Sequence, residues 1–94
     1  MAHFTLGPGA VSAAVRHRRV EEIWFILAGA GEMWRALAEA SEIIALVPGL
    51  SLTIPRGAAF QFRNTGRAPL TAVAITMPPW PGPDEAVPAT GPWA

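Results

Sequence analysis

The side chains able to do chemistry in this sequence are few, and their types narrow the reactions at once. There is no cysteine, which excludes thiol nucleophiles, a disulfide scaffold and cysteine-held zinc. Ser12, Ser41 and Ser51 stand in no nucleophile motif, so hydrolysis through a covalent intermediate has no candidate. Proton transfer or metal ligation is left to two histidines, His3 and His17, and to the carboxylates. In an extended chain His17 shares one face with Val11, Ala13 and Val15, because side chains alternate along a strand. Arg16, Arg18 and Arg19 cluster around it, but Glu21 and Glu22 follow at once and the formal net charge is zero. That cluster reads as a solvated strand edge or a dimer rim, and no nucleic-acid partner is expected.

The elements that must hold these residues are strands. Phe4 to Leu6 is a short apolar run stopped by Gly7-Pro8-Gly9, and Ala10 to His17 reads as a second strand. Val20 to Leu27 is rich in β-branched and aromatic residues and is the clearest strand of the chain. Glu32 to Arg35 reads as the return strand of a hairpin. Ala36 to Glu42 has helical propensity but is too short for a stable helix, so a turn or single helical turn is expected before strand Ile43 to Val47. Leu50 to Ile54, a Pro55-Arg56-Gly57 turn, a strand with Phe60 and Phe62 on one face, and an Asn64-Thr65-Gly66 turn follow, then a last strand from Leu70 to Met77. Short strands separated by Gly/Pro turns indicate an all-β sandwich or barrel.

Residues 78–94 change character. Proline dominates them, so neither a helix nor a central strand is expected, and Trp80 and Trp93 are expected to anchor the tail across the barrel or onto a second subunit. Residues 1–77 form the expected barrel. The N-terminus has no basic-then-apolar leader, and no run approaches the roughly 18 apolar residues of a membrane span. A soluble, cytoplasmic protein without a membrane partner is expected. A small, neutral and rather hydrophobic chain suits a homodimer.

Two spaced motifs carry a resemblance. The first is Gly9, Val15-Arg16-His17, Glu22 and Gly29; the second is Gly49, Pro55-Arg56-Gly57, Phe60 and Asn64. In this order and spacing the chain resembles the small single-domain cupins, which are jelly-roll β-barrels (double-stranded β-helices). The closing Pro-Pro-Trp-Pro-Gly-Pro is similar to the tail of some bacterial one-domain cupins. The resemblance implies a lumen in which metal-binding cupins gather three histidines and a glutamate. Two of those positions are here Val15 and Phe60, leaving His17 and Glu22, and His3 lies outside the motif. Neither Val nor Phe has a lone pair to donate, so no cofactor is expected; iron, manganese, nickel or zinc stays open only through His17, Glu22 and recruited groups.

With Trp24 and Phe62 also in the inward phase, Val15 and Phe60 make the implied lumen dry and aromatic, suited to a small, largely apolar molecule. The candidate binding residues are Val15, His17, Glu22, Trp24, Phe60 and Phe62. The His17–Glu22 pair has three readings: a structural hydrogen bond, ligand orientation, or acid and base in a metal-free isomerisation, dehydration or cyclisation. Three functions remain open. One is a binding protein. Another is an enzyme, either metal-dependent with a rebuilt site or metal-free. The last is a structural or sensor module whose side chains fill the barrel.

Overall fold

The strand Glu21–Ala28 sets the layout, because its alternation sorts the chain into an inside and an outside. Glu22, Trp24 and Ile26 are buried while Glu21 and Phe25 are exposed. The computed structural model describes residues 2–82 and 84–93. Among them it has nine strands and no helix: β1 (Ala2–Leu6), β2 (Val15–His17), β3 (Glu21–Ala28), β4 (Gly31–Leu37), β5 (Ala40–Leu46), β6 (Ser51–Ile54), β7 (Ala59–Asn64), β8 (Leu70–Met77) and β9 (Ala86–Pro88). They form two antiparallel sheets, ordered β1-β8-β3-β6 and β5-β4-β7-β2-β9. Trp24, Ile26, Met33, Leu46, Leu52, Ile54, Phe60 and Leu70 meet between them as the core. The fold is the all-β jelly roll that the strand spacing and motifs imply.

Two sequence expectations need correction. Ala36 to Glu42 is not a helical turn. Strand β4 runs on to Leu37, a two-residue turn at Ala38 and Glu39 reverses the chain, and β5 begins at Ala40. Ala36 also pairs with Ala59 of β7, so ladders on both sides outweigh a local preference of a few tenths of a kcal/mol per residue. The strand expected from Ala10 to His17 shrinks to Val15–His17 and an isolated bridge from Val11 to Arg63. Ser12 interrupts it, its Oγ accepting from the Phe62 N–H at 3.0 Å while its own N–H donates to the Phe62 carbonyl at 2.8 Å. A hydroxyl that takes a backbone donor competes with a regular ladder.

The tail returns along the second sheet. Strand β9 pairs with β2 at the sheet edge, with Val87 opposite Arg16 and Ala86 opposite His17. Pro88 is tolerated there because an edge strand leaves one side unpaired. Further on, the Trp93 N–H donates to Gln61 Oε1 at 3.1 Å and Gln61 Nε2 donates to the Trp93 carbonyl at 2.9 Å. The Arg63 guanidinium lies 4.3 Å from the Trp93 ring centroid. Gly91 permits this approach, since a Cβ there would stand 2.1 Å from Gln61 Oε1. Pro83 and Ala94 of the expected tail, like Met1, lie outside the described residues.

Candidate functional site

Both motif strands aim their inward phase at one space. Strand β2 supplies Val15 and His17, and β7 supplies Phe60 and Phe62, with Val15 directly opposite Phe60 in the ladder. From the other sheet, β3 contributes Glu22 and Trp24. These six residues line a cavity of about 460 Å³. The lumen is therefore not filled by its large side chains. Small residues face them: Ala74 is opposite Trp24 across the β3–β8 ladder, and Ala2 and Ala13 also line the wall.

His17 is fixed by its backbone before its ring. The Pro55–Gly57 turn closes with an Ala58 N–H to Pro55 carbonyl bond of 3.0 Å, and Gly57, at φ 85°, turns its own N–H onto the His17 carbonyl at 3.2 Å. That left-handed conformation favours glycine. The imidazole is buried between Phe60 and Trp80, edge-on to both at centroid distances of 5.1 and 5.2 Å. Its Nδ1 is 3.2 Å from Glu22 Oε2 but makes no hydrogen bond, so the buried nitrogen has no partner. Of the three readings of this pair, the geometry does not meet the hydrogen-bonded one. Glu22 instead accepts from Trp24 Nε1 at 2.7 Å, because β3 alternation puts the two side by side on one face.

Burial disfavours charge at both groups. It raises the Glu22 carboxyl above its ordinary value, opposed by the Trp24 hydrogen bond. It lowers His17, opposed by the charge of Glu85. The lumen thus presents an acid kept protonated to higher pH than usual beside an imidazole kept neutral to lower pH than usual. Such a pair can orient a polar group of a ligand or pass a proton.

Sequence reasoning missed several wall residues. Phe4 stacks parallel on Trp24 with centroids 5.1 Å apart; period two along β1 places it with Ala2. Thr76 and Ala74 follow from β8 alternation opposite Glu22 and Trp24. Trp80, expected as a tail anchor, lines the cavity. Glu85 left no local signal. It is fully buried, its Oε2 accepting from the N–H groups of Arg19 and Val20, the latter at 3.0 Å, while Oε1 has no partner. Burial pushes its carboxyl up, but those backbone donors and the Arg19 charge outweigh it, so the net shift is downward. His3 pairs opposite Val73 on the other face of β1 and does not line the cavity.

The wall does not fit the four-ligand metal set of the metal-binding cupins. Val15 and Phe60, at the positions where the motif resemblance implies ligands, face each other across the ladder and carry no lone pair. Among the described residues, no group of three or more His, Cys, Asp or Glu side chains comes together to hold an ion.

Residues 2–76 match the cupin domain family. The chain belongs to it. Among curated proteins this cupin is similar to the xanthan biosynthesis protein XanB of Xanthomonas campestris pv. campestris, 28% identical over 83 residues, which are 88% of this chain and 17% of XanB. It thus spans a small part of the relative it matches. Among solved structures, it resembles a predicted oxalate decarboxylase from Thermotoga maritima (TM-score 0.70, 23% identity, 79% of this chain and 61% of that one). It also resembles a recombinant oxalate oxidase in complex with glycolate (TM-score 0.75, 19% identity, 79% and 39%). The capsular polysaccharide assembling protein CapF from Staphylococcus aureus superposes over more of the chain (TM-score 0.80, 13% identity, 90% and 26%). At these identities the structural likeness shows the fold alone. No helix among the described residues is long and apolar enough to cross a membrane.

Proposed function

We propose that this cupin binds a small, largely apolar molecule in its lumen, without a metal. The observation that carries the reading is the cavity of about 460 Å³ walled by Val15, Trp24, Phe60 and Phe62, with His17 and Glu22 as its ionisable groups. A pocket of this size, mostly apolar with a few convergent polar groups, is the usual form of a small-molecule site. The test uses indole as probe and the Trp24 Nε1–H resonance as reporter. Saturable shifts of that signal are expected, and Ala13→Leu, which narrows the cavity at its wall, should weaken them at least several-fold. Shifts unaffected by Ala13→Leu, or none at all, would sink the reading.

A second reading rests on the opposed shifts of Glu22 and His17 at 3.2 Å separation: metal-free acid–base catalysis of an isomerisation, dehydration or cyclisation. It predicts exchange of carbon-bound protons next to a carbonyl in deuterated water, lost in Glu22→Gln. Near-stoichiometric iron, manganese, nickel or zinc in untagged protein would instead favour a metal-dependent enzyme with a rebuilt site.

The same proposal includes a cytoplasmic homodimer. Ile23 lies opposite Ile75 and Phe25 opposite Val73 on the outer face of β3 and β8, and Phe25 and Ile75 are exposed. A self-complementary apolar strip of this kind suits a two-fold pairing of identical sheets. A monomeric mass in solution at micromolar concentration would refute it.

A further inference from the structure

Charge in the lumen is one-sided. Glu22 is on the wall, and no arginine among the described residues lines the cavity. The nearest nitrogen of His17 stands 3.2 Å from Oε2 without hydrogen-bonding to it. A buried carboxylate without a bonded counter-charge is unfavourable, and it is relieved when a cation arrives. Aromatic rings make up much of the rest of the wall. Phe4 and Phe62 pack against Trp24 at 5.1 and 4.9 Å, and Phe60 and Trp80 flank His17. Ring faces carry partial negative charge and attract alkylated ammonium groups, most strongly where water is excluded.

Val15 and Phe60 distinguish between kinds of cation. A metal ion needs lone pairs that neither residue supplies. An alkylated ammonium ion needs apolar and aromatic surface, which both supply. We propose that the molecule bound in the lumen is an organic ammonium ion, its charged end set against Glu22 and the surrounding rings; this rests on the binding reading above and names its ligand class.

The experiment compares choline with 3,3-dimethylbutan-1-ol, the neutral molecule of the same shape, on the full chain by the Trp24 Nε1–H signal. Choline should bind roughly tenfold more tightly, the scale of a desolvated cation–ring contact. In Glu22→Gln, whose amide oxygen can still accept from Trp24, that preference should shrink several-fold, with choline losing more affinity than the alcohol. Trp80→Ala, a change at a half-exposed tail residue, should weaken choline more than the alcohol and serves if Glu22→Gln does not fold. Equal or tighter binding of the alcohol overturns the ammonium assignment and leaves the apolar pocket standing. So does binding of indole with neither probe bound. Absence of binding by all three overturns both, and a choline preference undiminished in Glu22→Gln overturns the assignment to that carboxylate.

Discussion

Placing histidine at Val15 and Phe60 tests the register on which the whole site depends. Val15 and Phe60 face each other across the β2–β7 ladder, and His17 stands two residues from Val15 on the same face, 3.2 Å from Glu22. Val15→His with Phe60→His should therefore gather three imidazoles and a carboxylate in one place. Without metal the double variant is destabilised. Phe60 is 5% exposed and edge-on to both His17 and Trp24. Losing those ring contacts and its apolar burial removes about 3 kcal/mol. For a domain of this size that lowers the melting temperature by roughly 12–24 °C. Zinc at a hundred times its dissociation constant returns about 2.7 kcal/mol, most of the loss. The assay is thermal melting of wild type and double variant with and without zinc or nickel, backed by calorimetric titration. A variant that melts low and gains nothing from either metal would refute the inward placement of Val15 and Phe60.

Three further outcomes follow from the geometry. Ala38 holds φ 55° in the β4–β5 turn, where a Cβ is strained, so Ala38→Gly should raise stability by about 1 kcal/mol in urea unfolding; a loss would contradict the turn. Ending the chain after Met77 removes β9, the Trp93 partners of buried Gln61 and the ring under Arg63, and should lower stability by at least about 3 kcal/mol; unchanged melting would refute the docked tail. The pH dependence has worked signs. His17 is lowered, so its contribution is present above the ordinary value of 6.5 and is lost as pH falls toward and through the depressed one. Glu85 is also lowered, so its contribution is present above the ordinary carboxyl value and is lost in stronger acid. Glu22 is raised, so its contribution is present in acid and is lost as pH rises through its raised value. Unfolding free energy measured from pH 4 to 8 should lose its His17 slope in His17→Gln, and a slope that survives would contradict the assignment.

The strands legible in sequence are those whose pattern is local. Leu70–Met77 has the bounds its apolar run suggests, and Glu21–Ala28 lies where the β-branched and aromatic residues concentrate. The inward phase of Val15, His17, Glu22, Trp24, Phe60 and Phe62 was readable because period two and motif spacing agree. Ala36 to Glu42 misled because its propensity is helical while its pairing partners, Ala59 among them, lie far along the chain. The buried place of Glu85 and the lumen place of Trp80 were illegible for a related reason. Their placement requires the tail to run back beside β2, and a Pro-rich composition specifies extension without specifying direction.

The aliphatic and aromatic side chains at Val15 and Phe60 do more than withhold lone pairs. Each puts apolar rather than polar surface on the wall and makes ionisation of Glu22 less favourable, in the direction its raised carboxyl shows. One oxygen of that carboxyl is held by Trp24 Nε1 at 2.7 Å, so a metal would have to compete with a buried hydrogen bond before it met even its second ligand. The other oxygen faces an imidazole that does not bond to it. A site built this way is poorly arranged for a hard divalent ion, which demands several close donors, and well arranged for a diffuse charge carried on an apolar body. The direct contest is therefore between cations: at equal excess, choline should protect the wild-type fold against heat more than zinc does, and the order should reverse when Val15 and Phe60 are both made histidine.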